Sequence, residues 1–94
     1  MNKIAWSDLA YVTFTEIADY LTEKYSLDVA LRFNEQVDKL IERLEEGSHF
    51  CPPYEKRPPY RKCVINKYNS LLYRVEENTI LLVSFIDNRR LHPF

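Results

Sequence analysis

Apolar residues along the first half of the chain recur at helical spacing. Ala10, Phe14, Ile17, Leu21 and Tyr25 follow one another at steps of 4, 3, 4 and 4, with Glu16, Asp19 and Glu23 off that line. Such spacing sets one apolar stripe on one face of a helix. Ser7-Asp8 in front supplies a capping hydroxyl and an acid for the positive helix end, so the helix is predicted to start at about Ser7. Ser26 and Asp28 repeat the signal, and Ala30, Phe33, Val37, Leu40 and Leu44 make a second stripe. Gly47, the only glycine, falls just past it and predicts a left-handed cap that ends the helix near Glu46.

The second half changes period. After a loop from Ser48 to Pro59 with four prolines, three apolar and aromatic runs follow: Tyr60 to Asn66, Ser70 to Glu76 and Thr79 to Asp87. Lys67-Tyr68-Asn69 and Glu77-Asn78 join them as hairpins. Leu71, Tyr73 and Val75 alternate with Leu72, Arg74 and Glu76, the pattern of a half-exposed strand. Ile80 to Ile86 has no polar face and predicts a strand that is central or covered on both sides. With Ile4-Ala5-Trp6 as a short first strand, the order is β-α-α-β-β-β. The expected class is α+β, a helical hairpin packed on a small, mainly antiparallel four-stranded sheet. Simple up-and-down alternation of the elements, with the first strand beside the second or fourth, would make that sheet antiparallel throughout.

The 94 residues are expected to form one domain, 1–94, with a modest core; 46% are apolar and 13 are aromatic. No run approaches the ~18 apolar residues of a membrane span, and the N-terminus lacks the apolar stretch of a signal peptide. A cytoplasmic protein with no membrane partner is therefore expected. In that setting Cys51 and Cys63 are expected to be free thiols. Two cysteines and two histidines at these spacings match no zinc pattern, and neither a metal nor a cofactor is expected.

The net charge of -1 hides a division. Residues 1–50 carry five basic and ten acidic side chains, and residues 51–94 carry eight basic and four acidic. A basic C-terminal half suits an anionic partner, although the two blocks can also complement each other within the fold. Chemistry concentrates at the end, where Arg89, Arg90 and His92 crowd the last strand. Arginines grip phosphate or carboxylate, and a histidine can serve as general acid or base for attack of a 2′-hydroxyl on its neighbouring phosphate. Arg89 and His92 are the catalytic candidates; Arg61, Lys62, Lys67 and Arg90 are candidates for binding a target or phosphate. The same residues also fit a solvated tail and a charged strand protected from edge pairing. Asp87 reads as a turn or ion-pair residue, His49 as a complement to a helix end, and Trp6 and Tyr73 as packing. Glu55, Lys56 and Arg57 make a charged, mobile loop tip.

The element order, together with Ile4-Ala5-Trp6-Ser7, Arg61-Lys62-Cys63-Val64-Ile65, Tyr73-Arg74-Val75 and the ending Phe85-Ile86-Asp87-Asn88-Arg89-Arg90, resembles the RelE/ParE superfamily of bacterial toxins, in particular its plasmid-stabilisation branch. The resemblance implies a growth-inhibiting toxin held in a hetero-oligomer by a cognate antitoxin. RelE-like members cleave messenger RNA on the ribosome, and ParE-like members poison DNA gyrase, so either target is implied. RNA-cutting members often carry an arginine three positions before the residue matching Tyr73, where this chain has Ser70, and many end in a tyrosine, where this chain ends His92-Pro93-Phe94. A non-toxic binding module that kept the fold and lost the target site is the other class in view.

Overall fold

A computed structural model describes residues 2–89. Its elements are β1 (Lys3–Trp6), α1 (Asp8–Lys24), α2 (Leu27–Glu46), β2 (Arg61–Val64), β3 (Asn69–Glu76) and β4 (Thr79–Asp87). The predicted order of elements stands, and the boundaries differ by a few residues. Both serine caps form: the Ser7 and Ser26 hydroxyls accept from the backbone N–H of Ala10 and Val29. These bonds satisfy amides that have no partner inside their helices.

The four strands lie in the order β1-β4-β3-β2. Pairs β2–β3 and β3–β4 are antiparallel, but β1 runs parallel to β4, with Trp6 opposite Leu82. The sheet is mixed, which corrects the expectation of a wholly antiparallel one. The segment between α2 and β2 explains the difference. Residues 51–53 run extended alongside β2 in the opposite direction, through the Pro53–Arg61 bridge and a Lys62 N–H bond to the Pro52 carbonyl. This extra pass reverses the chain once more than simple alternation allows, so β2 sets out in the direction of β1.

One sheet face packs on the helices. All five residues of the α2 stripe are buried, and Phe33, Val37, Leu40 and Leu44 meet Leu71, Tyr73, Ile80, Leu82 and Phe85 in one core. The α1 stripe fades along its length, from fully buried Ala10 to Tyr25 at 55% exposure. Trp6, Phe14, Phe33 and Phe85 stack around one another, with several ring centroids about 5.5 Å apart. Trp6 and Tyr73 therefore take the packing roles expected of them.

The opposite sheet face is not open water, and here a second expectation fails. Leu72 is fully buried, because Tyr54 and Tyr60 of the proline segment fold over it together with Ile86 and Val83. Strand β3 is thus covered on both faces over residues 69–73. The loop tip itself is bonded through its backbone, with Arg57 N–H to the Tyr54 carbonyl, Tyr60 N–H to Arg57 and Tyr54 N–H to Tyr60.

Two local expectations are also corrected. Cys51 and Cys63 are joined in a disulfide and are not free thiols. Their pairing follows from the extra extended segment, which brings the two Cα atoms to 5.2 Å in the buried core. Gly47 ends α2 with φ -149 and ψ 101, in extended backbone rather than a left-handed cap, because the chain leaves directly for the proline segment. The left-handed residue is Glu77, at φ 53 in the turn between β3 and β4.

Strand β1 ends at Trp6, whereas β4 continues to Asp87, which leaves one edge of β4 without a strand neighbour. Helix α1 fills that edge with hydroxyls. Ser7 donates its N–H to the Leu82 carbonyl and its hydroxyl to Val83, and Thr13 Oγ1 accepts the Phe85 N–H at 2.9 Å while donating to Leu9. Thr13→Val keeps the shape and strands the Phe85 amide, so urea unfolding should show a loss of about 1–3 kcal/mol. Tyr73 ties the proline segment down: its hydroxyl donates to the Ser48 carbonyl at 2.8 Å and receives the Cys51 N–H. Burial raises its pKa above the ordinary 10.0, against the lowering pull of the Cys51 N–H and Arg61. The unfolded chain thus ionises this phenol first, and stability falls as pH rises past about 10 toward the folded value. Tyr73→Phe should lose roughly 1–2 kcal/mol at neutral pH, with a smaller further loss than the parent between pH 9.5 and 11.

Candidate functional site

At the far end of the sheet the second half of α1, the start of α2, the turn before β3 and the end of β4 enclose a groove of about 820 Å³. Ile17, Leu21, Val29 and Phe33 supply its apolar lining. Glu16, Asp19 and Glu23 line it from α1, and Arg32, Lys67 and Arg89 from the other elements. The groove is therefore bipolar, with acid along one helix and base across from it.

The basic side is built on turn chemistry. Asn66 Oδ1 accepts from the N–H groups of Tyr68 and Asn69, and Asn66 Nδ2 donates to Gln36 on α2, which pins the turn to the helix layer. The Tyr68 carbonyl receives the Asn88 N–H, and the buried Ser70 hydroxyl donates to Asn88 Oδ1 at 2.9 Å. Tyr68 and Arg89 are held side by side as a result.

Arg89 is held by Asp87 and flanked by aromatic rings. Its Nε and Nη2 each lie 3.0 Å from an oxygen of Asp87, and its own N–H also reaches Asp87 Oδ1. Asp87 keeps the guanidinium more firmly protonated than an ordinary arginine. The guanidinium also lies 4.5 Å from the ring centre of Tyr68 and 6.0 Å from that of Tyr20. Lys67 sits over the Tyr68 ring at 5.6 Å and Lys24 over Tyr20 at 5.8 Å, so cations and rings alternate along the rim.

The candidate residues divide into two places. Lys67 and Arg89 meet around Tyr68. Arg61 lies opposite Tyr73, about four residues or ~13 Å farther along the sheet, and donates to the Cys51 carbonyl. Lys62 stacks over Tyr54 at 5.4 Å, beside the proline segment. Arg90 and His92 lie outside the described residues. His49 Nδ1 meets the Ser48 hydroxyl at the exposed end of α2, away from this groove. Among the described residues no group of three or more histidines, cysteines and acids could hold a metal ion. No helix there is long and apolar enough to cross a membrane.

The sequence pattern did not point to Tyr20, Arg32 or Tyr68. A signal existed for Tyr20, which adjoins Leu21 of the stripe yet belongs to no core periodicity. Tyr68 was hidden inside a turn, where an aromatic ring has no packing reason to be.

A family model for the ParE toxin of the type II toxin–antitoxin system parDE matches residues 4–92. The chain belongs to the ParE toxin family. Among solved structures, the chromosomal ParDE toxin–antitoxin system from P. aeruginosa superposes with a TM-score of 0.78 at 16% identity, covering 93% of this chain and 96% of that one. A YoeB/ParE toxin from Agrobacterium tumefaciens gives 0.66 at 12% identity, with 90% and 96% covered. The YoeB-YefM complex from Staphylococcus aureus gives 0.61 at 16% identity, with 90% and 94% covered. No match is found among curated proteins. At these identities the superpositions speak for the fold, which is the β-α-α-β-β-β arrangement of this ParE-family chain.

Ser70, which stands where RNA-cutting relatives often carry arginine, is fully buried and holds Asn88 in this ParE-family chain. Ser70→Arg would bury an unpaired guanidinium and break the Asn88 contact. A loss of roughly 3–5 kcal/mol in denaturant unfolding is expected, and Ser70→Ala should lose only about 1 kcal/mol.

Proposed function

We propose that this ParE-family chain is the toxin of a type II pair that arrests bacterial growth by engaging a protein target, DNA gyrase, and that a cognate antitoxin neutralises it in a hetero-oligomer. The observation that carries the choice of target class is the state of Arg89. Its guanidinium is bound on two donors by Asp87 and flanked by two tyrosines, within a groove whose α1 wall is acidic. Such a surface is suited to a mixed-charge protein surface, whereas an RNA strand would meet the Glu16, Asp19 and Glu23 carboxylates. Arg61 and Lys62 face the proline segment and do not add to the groove's positive charge. Gyrase and the antitoxin would both be met in the cytoplasm.

Target engagement through the groove gives Lys67 and Arg89 binding roles, and His92 no proton-transfer role. Expression of the chain alone in a bacterial host should stop growth and stabilise gyrase–DNA cleavage complexes, and co-expression of the small protein encoded beside it should restore growth. Arg89→Ala should relieve toxicity without loss of folding by circular dichroism. Ribosome-dependent cuts in translated messages, mapped by primer extension and abolished by His92→Ala, would replace this reading with an RNA-cleaving one. Unimpaired growth with a stable antitoxin complex would leave a binding module.

A further inference from the structure

The Cys51–Cys63 bond lies where the proline segment is fastened to the sheet, beside the Pro53–Arg61 bridge, the Lys62 N–H bond to the Pro52 carbonyl, the Tyr54 ring on Leu72 and contacts made by two candidate cations. The Arg61 guanidinium donates to the Cys51 carbonyl at 2.6 Å, the Lys62 ammonium lies over the Tyr54 ring, and the Tyr73 hydroxyl holds the Ser48 carbonyl. Residues 52–59 are largely exposed and contain four prolines, so apart from Tyr54 the segment has little burial of its own. The cross-link closes a loop of twelve positions, and its removal returns conformational freedom mainly to the lifted segment.

We infer that the Cys51–Cys63 bond is a redox clasp that holds the proline segment over Arg61 and Lys62, and that two-electron reduction by a cellular dithiol lets the segment lift and bares both cations. Cys51 is 5% exposed and Cys63 1%, so a reductant reaches the bond only when the segment opens, and reduction then captures the opened form. A thiolate of the dithiol attacks the Cys51 sulfur and expels the Cys63 thiolate, which takes up a proton. The second thiolate of the dithiol resolves the mixed disulfide, releasing Cys51, which is protonated in turn, and leaving the dithiol as its own disulfide. Disulfides in reducing compartments are usually transient and regulatory, which suits such a clasp.

Opening changes what the chain offers. In the closed form the basic edge of β2 is turned to the chain's own carbonyl and ring. In the open form both cations lose these partners, Lys62 on the sheet face of Leu72 and Arg61 on the face of its strand partner Tyr73, so the freed edge of β2 carries a cation on each side as a surface for polyanions. This device stands apart from the Arg89 groove and holds whichever target that groove serves.

The test compares the full chain oxidised and reduced with tris(2-carboxyethyl)phosphine under nitrogen, with Cys51→Ala/Cys63→Ala as a permanently unclasped form. Amide exchange across residues 50–60 should rise at least tenfold on reduction and match the double variant, while exchange in α2 and β4 stays unchanged. Retention on heparin should move to higher salt in the reduced parent, and Arg61→Ala/Lys62→Ala should abolish that shift. Equal exchange in both forms overturns the clasp, as does protection lost throughout the chain. Released exchange without any change in heparin retention overturns its coupling to the cations.

Discussion

The mismatch in length between β1 and β4 is the constraint on which this structure depends. β4 is nine residues long and central, while β1 offers it only four partners, so residues 83–87 are left with an open edge inside the molecule. Buried amides and carbonyls without partners would each cost about as much as a substantial part of a small domain's stability. Ser7 and Thr13 meet that demand from α1, and in doing so they set where the helix lies across the sheet. The orientation of α1 then brings Glu16, Asp19, Tyr20 and Glu23 to the end of β4 where Asp87 and Arg89 emerge. The groove is a consequence of how β4 is satisfied.

A second constraint comes from size. Among the described residues of this 94-residue chain, two helices cover one face of a four-stranded sheet and no further helix or strand covers the other. The proline segment takes that place, and its aromatic residues Tyr54 and Tyr60 cover Leu72, Ile86 and Val83. Prolines suit this duty, since a segment with few amide donors leaves few to be satisfied where it lies against a sheet. The same segment supplies the extra reversal that makes β1 parallel to β4 and brings Cys51 beside Cys63. One irregular stretch therefore accounts for the strand direction, the second apolar cluster and the disulfide together.

That dependence also marks how far the sequence could be read. The α2 stripe, the two serine caps and the whole span of β4 were legible because each is a local pattern: a period of 3.6, a hydroxyl before an apolar run, an unbroken apolar strand. Strand direction, the burial of Leu72 and the fate of the cysteines were not, because all three follow from the path of residues 47–60, and a run of prolines declares a loop without declaring its course. At the site, Arg89 was legible as charge at a strand end and Asp87 as its ion-pair or turn partner. The rings that frame Arg89 were not, since Tyr20 and Tyr68 are distant in sequence and meet only through the helix position that Thr13 sets and the turn that Asn66 builds. Arg61 and Lys62 were grouped with Lys67 by adjacency of strands, yet pairing register separates them along β3 and turns them to another neighbour.

The pairing of Arg89 with Asp87 limits what can bind there. Two charge-assisted bonds on parallel donors are among the stronger polar contacts a surface can make, and Asp87 is itself largely shielded from water. A free anion finds the Nε/Nη2 fork already filled by a carboxylate and is left with the remaining donors, and in solution it is screened as it approaches. A partner surface is placed differently. It can leave the Asp87 pair intact, lay an apolar side chain on Ile17, Leu21 and Val29, and match the acidic α1 wall with cations of its own. The buried apolar area then supplies most of the attraction, and the charges select orientation. In the proposed protein-binding reading Arg89 would serve as a fixed, ring-flanked edge for aligning a partner, since it is already held before any partner arrives.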